Sequence, residues 1–121
     1  MNSPIKLLIL DVDGVLTDGT KVYNKNHEVL SKRYMCKDFT AIKRFIAAGV
    51  NVILLSGDIF NEAMGRKRNL DFYCSRGDDL SLDKSRFVDL FAERYSVTED
   101  QMAFVGDDYF DLSMFKKLFF S

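Results

Sequence analysis

Apolar residues in this chain fall in short runs, each ended by an acidic or glycine-containing loop. Ile5 to Leu10, Val50 to Leu55 and Met102 to Val105 carry no helical spacing. They run directly into Asp11-Val12-Asp13-Gly14, Ser56-Gly57-Asp58 and Gly106-Asp107-Asp108. Such runs predict strands buried on both faces, as in the middle of a parallel sheet. A shorter strand is expected at Phe72-Tyr73-Cys74. Two β-prone segments, Lys21 to Tyr23 and Glu28 to Met35, flank the polar Asn24-Lys25-Asn26-His27 and predict a hairpin over about 20–35.

Helical spacing appears between the strands. Ile42, Phe45, Ile46 and Ala47 share a face after Asp38, a candidate N-cap, and Gly49 stops that helix. Further helices are expected over about 60–69, after Asp83 with Phe87, Val88, Leu90 and Phe91 inward, and over about 110–118. Phe45, Phe87, Phe91, Phe104 and Phe110 are read as core. Strands alternating with helices predict an α/β fold, a parallel sheet with helices on both faces.

The 121 residues are 47% hydrophobic with a formal net charge of −1, which supports one domain over 1–121. Near-neutral charge argues against a non-specific nucleic-acid binder. Two cysteines, Cys36 and Cys74, are too few for a secreted disulfide framework and are read as buried filler. The apolar run Leu7 to Leu10 is too short for a signal-peptide core or a membrane span. A cytoplasmic protein is the expectation. His27, the only histidine, is placed in a solvent-exposed turn, and Arg66-Lys67-Arg68 at a solvated helix end.

In an open α/β sheet the ligand crevice lies outside the carboxyl ends of the strands. The three polar loops would therefore meet, bringing together Asp11, Asp13, Asp107, Asp108 and Asp111. Ser56, Gly57 and Lys84, at the start of the preceding helix, complete the group. Clustered carboxylates repel and are costly to bury unpaired, which a hard cation such as Mg²⁺ resolves. One lysine, one hydroxyl and backbone N–H groups beside Gly57 suit phosphoryl oxygens. Metal, phosphate and a carboxylate together point to phosphoryl transfer through an aspartyl-phosphate. Ser56 also fits a helix cap, Lys84 a solvated lysine, and Asp108 or Asp111 an N-cap.

The stretch Asp11-Val12-Asp13-Gly14-Val15-Leu16-Thr17-Asp18-Gly19 resembles the first motif of the haloacid-dehalogenase superfamily. More narrowly it resembles the capless branch containing KDO-phosphate phosphatase and the phosphatase-like domain of acylneuraminate cytidylyltransferases. Ser56-Gly57 matches the second motif, Lys84 the third, and Gly106-Asp107-Asp108 with Asp111 the fourth, in family order. The resemblance implies a Rossmann-like fold with a β-hairpin flap and no cap domain. It implies a Mg²⁺-dependent phosphomonoesterase acting on a small phosphate ester, a sugar phosphate of the KDO-phosphate type. Asp11 would be the nucleophile and a metal ligand. Asp13 would be the general acid/base, its main-chain carbonyl also binding metal. Asp107 would complete the metal ligands, with Asp108 and Asp111 behind them. Ser56, Gly57 and Lys84 would hold the phosphoryl group. A homotetramer, each site covered by a neighbouring chain, is also implied.

The sequence departs from that pattern in places. Asp58 stands where these relatives usually carry Arg, which should weaken binding of an acidic sugar. Phe39 follows Asp38 where they usually have Gly. Relatives also continue past the last helix with another strand and helix, which would be missing after Phe119-Phe120-Ser121. Two rivals follow. One is a receiver-like signalling domain, disfavoured because the Asp-x-Asp comes first and Gly-Asp-Asp late. The other is a non-catalytic phosphatase-like oligomerisation module.

Overall fold

The all-apolar strands are central to the architecture. The computed structural model describes residues 4–75 and 87–106. A four-stranded parallel sheet is built from β1 (Leu7–Leu10), β4 (Asn51–Ser56), β5 (Asp71–Cys74) and β6 (Met102–Val105), in the order β5-β4-β1-β6. The antiparallel pair β2 (Thr17–Tyr23) and β3 (Val29–Tyr34) forms a separate hairpin. The helices are α1 (Cys36–Ala47), α2 (Glu62–Lys67) and α3 (Phe87–Tyr95).

Side chains alternate across a strand, so an uninterrupted apolar run must serve two cores. Leu7 and Ile9 of β1, with Ile53 and Leu55 of β4, pack with Val88 and Phe91 of α3, Met102 and Phe104. Leu10, Val52 and Leu54 face the other way, against Phe39 and Ile42 of α1, Leu16 and Leu70. Each fully buried Leu or Ile contributes about 1.5–3 kcal/mol relative to exposure. Helices therefore flank both faces of the described sheet, as expected, while the helix expected over 110–118 lies outside the described residues.

The expected helix faces need correction. Helix α1 begins at Cys36 with Met35 as N-cap, and Asp38 lies in its first turn without capping it. Its buried residues are Phe39 and Ile42, while Phe45 is 46% and Ile46 48% exposed. Phe45 borders an open apolar groove lined by Leu8, Leu10, Val15 and Val105. Ile46 borders another groove with residues of the α2–β5 turn. In α3 the buried positions are Val88 and Phe91, and Leu90 is exposed. The helix expected over 60–69 divides into a 3₁₀ turn at Ile59–Asn61 and the short α2. Cys36 is exposed and Cys74 half-buried, so neither is buried filler.

The hairpin follows its sequence signal. Asn24 Oδ1 accepts from the backbone N–H groups of Asn26 and Glu28, and His27 adopts φ 61° to close the turn. His27 is exposed, stacked on Tyr23 at 4.2 Å. Its first strand begins at Thr17, earlier than expected, so β2 leaves the loop after β1 without a linker.

The strand order fixes where a ligand can bind. The chain leaves β1 toward β4 and β5 on one side, and β6 returns on the other. The crevice at such a switch point opens at the carboxyl end of β1, where Asp11 and Asp13 lie. Among the described residues, no helix is long and apolar enough to cross a membrane.

Candidate active site

The loop after β1 is wound tightly by its own backbone. The Val12 carbonyl accepts from the N–H groups of Val15, Leu16 and Thr17 at 2.7–3.2 Å. The buried Thr17 Oγ1 accepts from the N–H groups of Gly14 and Gly19, both at 3.1 Å. Gly14, at φ 81°, takes a conformation that a side chain would resist. The fully buried Val12 anchors the loop from below, leaving the flanking acids at the crevice.

Asp11 is 6% exposed, with Oδ1 accepting from the Val12 N–H at 2.9 Å. Its own N–H donates to the Val105 carbonyl, so the end of β6 lies against it. Asp13 is half-buried and held through both oxygens. Lys32 Nζ reaches Oδ1 at 2.7 Å, and Asn61 Nδ2 donates to Oδ2 at 3.2 Å.

Ser56 ends β4 with no exposed surface. Its Oγ accepts from the Asp58 N–H at 3.1 Å and from Asn61 Nδ2 at 3.0 Å. Its own proton has only a long contact, 3.4 Å, to the Asp58 carbonyl. A hydroxyl so placed has its lone pairs occupied and a donor to offer, which suits a phosphoryl oxygen. Asp58, rather than Ser56, caps the following 3₁₀ turn through the Phe60 N–H. Gly57 lies between them in this loop.

Asp11, Asp13, Ser56 and Gly57 thus occupy adjacent strand ends. Lys84, Asp107, Asp108 and Asp111, together with Asp83 and Phe110, lie outside the described residues. Among the described residues, no cluster of three or more His, Cys, Asp or Glu side chains forms.

Sequence reasoning missed three participants: Lys32, Tyr34 and Asn61. Lys32 and Tyr34 share one face of β3 by strand alternation, and the Lys32 side chain has no exposed surface. Lys32 Nζ also contacts Asp58 Oδ2 at 2.8 Å and stands 5.4 Å from the centre of the Phe60 ring. Lys21, from the other hairpin strand, adds a 3.5 Å ion pair to the same carboxylate. Asp58 is therefore matched by flap lysines, and the expected surplus of negative charge at the mouth is offset.

Burial alone would lower the Lys32 pKa, but its hydrogen bonds to Asp13 and Asp58 and their charges raise it above the ordinary value. Burial pushes Asp58 up, yet Lys32, the Phe60 N–H and Lys21 together hold it below the usual carboxylate value. Asn61 is fully buried and accepts at Oδ1 from Tyr34 Oη at 2.8 Å. Because a carboxylate only accepts, the Asn61 nitrogen must face Asp13, and the tyrosine hydroxyl then meets the amide oxygen. Burial raises the Tyr34 pKa, keeping that donor protonated.

The donor set at the strand ends is all oxygen, the type that Mg²⁺ takes. The ligands that the resemblance implies here, the Asp11 carboxylate and the Asp13 main-chain carbonyl, are of this type. The residues present therefore fit such an ion.

No family model matches the chain. It is 35% identical over 111 residues to the 3-deoxy-D-manno-octulosonate 8-phosphate phosphatase of Haemophilus influenzae, covering 92% of this chain and 60% of that protein. The Escherichia coli K12 protein of the same name is 31% identical over 115 residues, covering 94% and 59%. The chain thus spans about three-fifths of the length of the curated relatives it matches. Among solved structures, the cobalt-bound H. influenzae phosphatase superposes with a TM-score of 0.81 at 32% identity, covering 94% of this chain and 65% of that one. A hydrolase of haloacid-dehalogenase subfamily III A from Legionella pneumophila gives 0.82 at 26%, covering 94% and 61%. The Moraxella catarrhalis phosphatase, solved with magnesium, phosphate and KDO, shares the fold at 0.80 and 20% identity, covering 94% and 64%.

Proposed function

The chain belongs to the haloacid-dehalogenase superfamily, and from that premise we propose that it is a Mg²⁺-dependent phosphomonoesterase of a small phosphorylated metabolite. The observation carrying this reading is the Asp11-x-Asp13 pair at the switch point, with Asp13 held through both oxygens.

In the proposed reaction Asp11 attacks phosphorus as the ester bond to the leaving alkoxide breaks. Asp13, entering in its protonated form, delivers its proton to that alkoxide, and the phosphoryl group rests on Asp11. Asp13, now a carboxylate, removes a proton from the water that attacks the aspartyl-phosphate, which releases phosphate and returns Asp11 to its carboxylate and Asp13 to its protonated form. Ser56 and the backbone beside Gly57 hold the equatorial oxygens, with Lys84 by resemblance. Bound Mg²⁺ would neutralise charge on the transferring group. Its ligands would be the Asp11 carboxylate, the Asp13 carbonyl and Asp107, with Asp108 and Asp111 behind them. Positioning and charge neutralisation account for the rate.

The substrate class we infer is a sugar phosphate, supported by the similarity to phosphatases of 3-deoxy-D-manno-octulosonate 8-phosphate. A homo-oligomer and a cytoplasmic location complete the proposal. Exposed Val22, Tyr23 and Leu30 on the hairpin support association, and a count of only two cysteines suits a reducing compartment. Phosphate release from an aryl phosphate and from a panel of sugar phosphates, with Mg²⁺ and with EDTA, tests it. Metal-dependent turnover with a preference among the sugars is expected. No release from any ester in Mg²⁺ would return the chain to the non-catalytic module.

A further inference from the structure

Lys32 is a lysine with an enclosed side chain on a hairpin strand, shared by two carboxylates from different loops. A single acidic partner would balance its charge. A second does something else: a flexible four-carbon stem bearing a point charge gains a fixed direction only when several acceptors define it. Asp58 is itself fixed by the Phe60 N–H at 3.0 Å and by Lys21 at 3.5 Å. Asn61 takes the other oxygen of Asp13 while its own oxygen is secured by Tyr34 of the hairpin.

We propose that Lys32 and Asn61 are positioning residues that clamp the two oxygens of Asp13, and that Asp58 acts through Lys32 to hold the clamp. The proposal rests on the reading of Asp13 as general acid/base. Asp13 sits in a turn, where a carboxylate would otherwise rotate freely, and the hairpin supplies what orients it. The four charges of Asp13, Asp58, Lys21 and Lys32 offset one another. As a balanced set they add little net attraction for a phosphate ester, so removing Lys32 and Asp58 together falls on turnover rather than on substrate binding.

The test is steady-state hydrolysis of an aryl phosphate in Mg²⁺ by the full chain, as wild type, K32M, D58N and the double variant. K32M is expected to lower kcat about 10- to 100-fold, the range for a misdirected acid/base. KM should move less than about threefold in the double variant, whose remaining charges still balance, and should rise in K32M, which leaves one uncompensated carboxylate at the mouth. D58N should lose less. The double variant should match K32M in kcat, because a residue acting only through Lys32 adds nothing to positioning once Lys32 is gone.

A K32M kcat within about twofold of wild type would overturn the clamp, and additive losses in the double variant would overturn the role of Asp58. Should K32M lose cooperative melting, D58N, which retains Lys32, decides by the same kcat-against-KM split. The ammonium nitrogen resonance of Lys32 gives a readout independent of activity. It should shift in both D13N and D58N, and a resonance unmoved by either contradicts the proposal. An inactive wild type whose Lys32 resonance still responds would strike the phosphatase reading and leave the clamp standing.

Discussion

At the scale of single residues, Asn61 shows how a short polar side chain can organise a site. It is fully buried, and it joins Asp13, Ser56 and Tyr34 from three separate elements. Replacement by Leu would leave those partners without it, at about 1–3 kcal/mol for each group left unsatisfied. N61L should therefore melt earlier and turn over more slowly, as urea unfolding and phosphate release would show. Asp58 gives a pH signature. Its folded pKa lies below the ordinary 3.8, so its stabilising contribution is present above that value and fades as pH falls through the folded one. Lys32 works in the opposite sense, its contribution present below 10.5 and fading as pH rises through its raised pKa. Acid titration of the folded fraction should show D58N losing less stability on acidification than wild type. Asp11, Asp13 and Ser56 were legible because their chemistry is local, a strand end and a motif. Lys32 and Asn61 were not, since their partners lie 19 to 48 residues away and only the folded hairpin joins them.

At the scale of elements, strands were read more accurately than helix faces. A run such as Val52 to Leu55 has no polar position to expose, and its shortness between Gly49 and Gly57 makes it a strand buried on both sides. A helix leaves more freedom, because periodicity gives the spacing of a stripe but not its centre or its length. Phe45 and Ile46 fit the spacing of α1, yet the sheet and loops beneath them leave open grooves among the described residues. The same ambiguity in α3 is testable by mutation. Phe91→Ala should cost about 3–5 kcal/mol in urea unfolding, and Leu90→Ala should stay near about 0.5 kcal/mol, the surface range. Gly49, which ends α1 at φ 91°, has no atom within 4 Å of where a Cβ would stand. Gly49→Ala would therefore be destabilising by about 1–2 kcal/mol through backbone strain alone, measurable as a lower urea midpoint.

At the scale of the whole molecule, the order β5-β4-β1-β6 sets the carboxyl ends of β4, β1 and β6, distant in sequence, side by side. The sequence order of the motifs anticipated this, because a strand that sends its crossover to one side and receives another on the opposite side opens its carboxyl end to a ligand. The hairpin's part in the site was not anticipated beyond a cover. It delivers Lys32 and Tyr34 into the crevice and matches the charge of Asp58, which alone suggested a poor site for anions. The central claim is that Asp11 carries the phosphoryl group, and the most direct measurement is phosphate release from an aryl phosphate in Mg²⁺ by wild type and Asp11→Asn. The account predicts measurable wild-type turnover and a loss of about three orders of magnitude in the variant, as for a missing nucleophile, with cooperative melting retained. An Asp11→Asn protein that keeps more than about a tenth of wild-type turnover would contradict it, since an amide cannot form the aspartyl-phosphate.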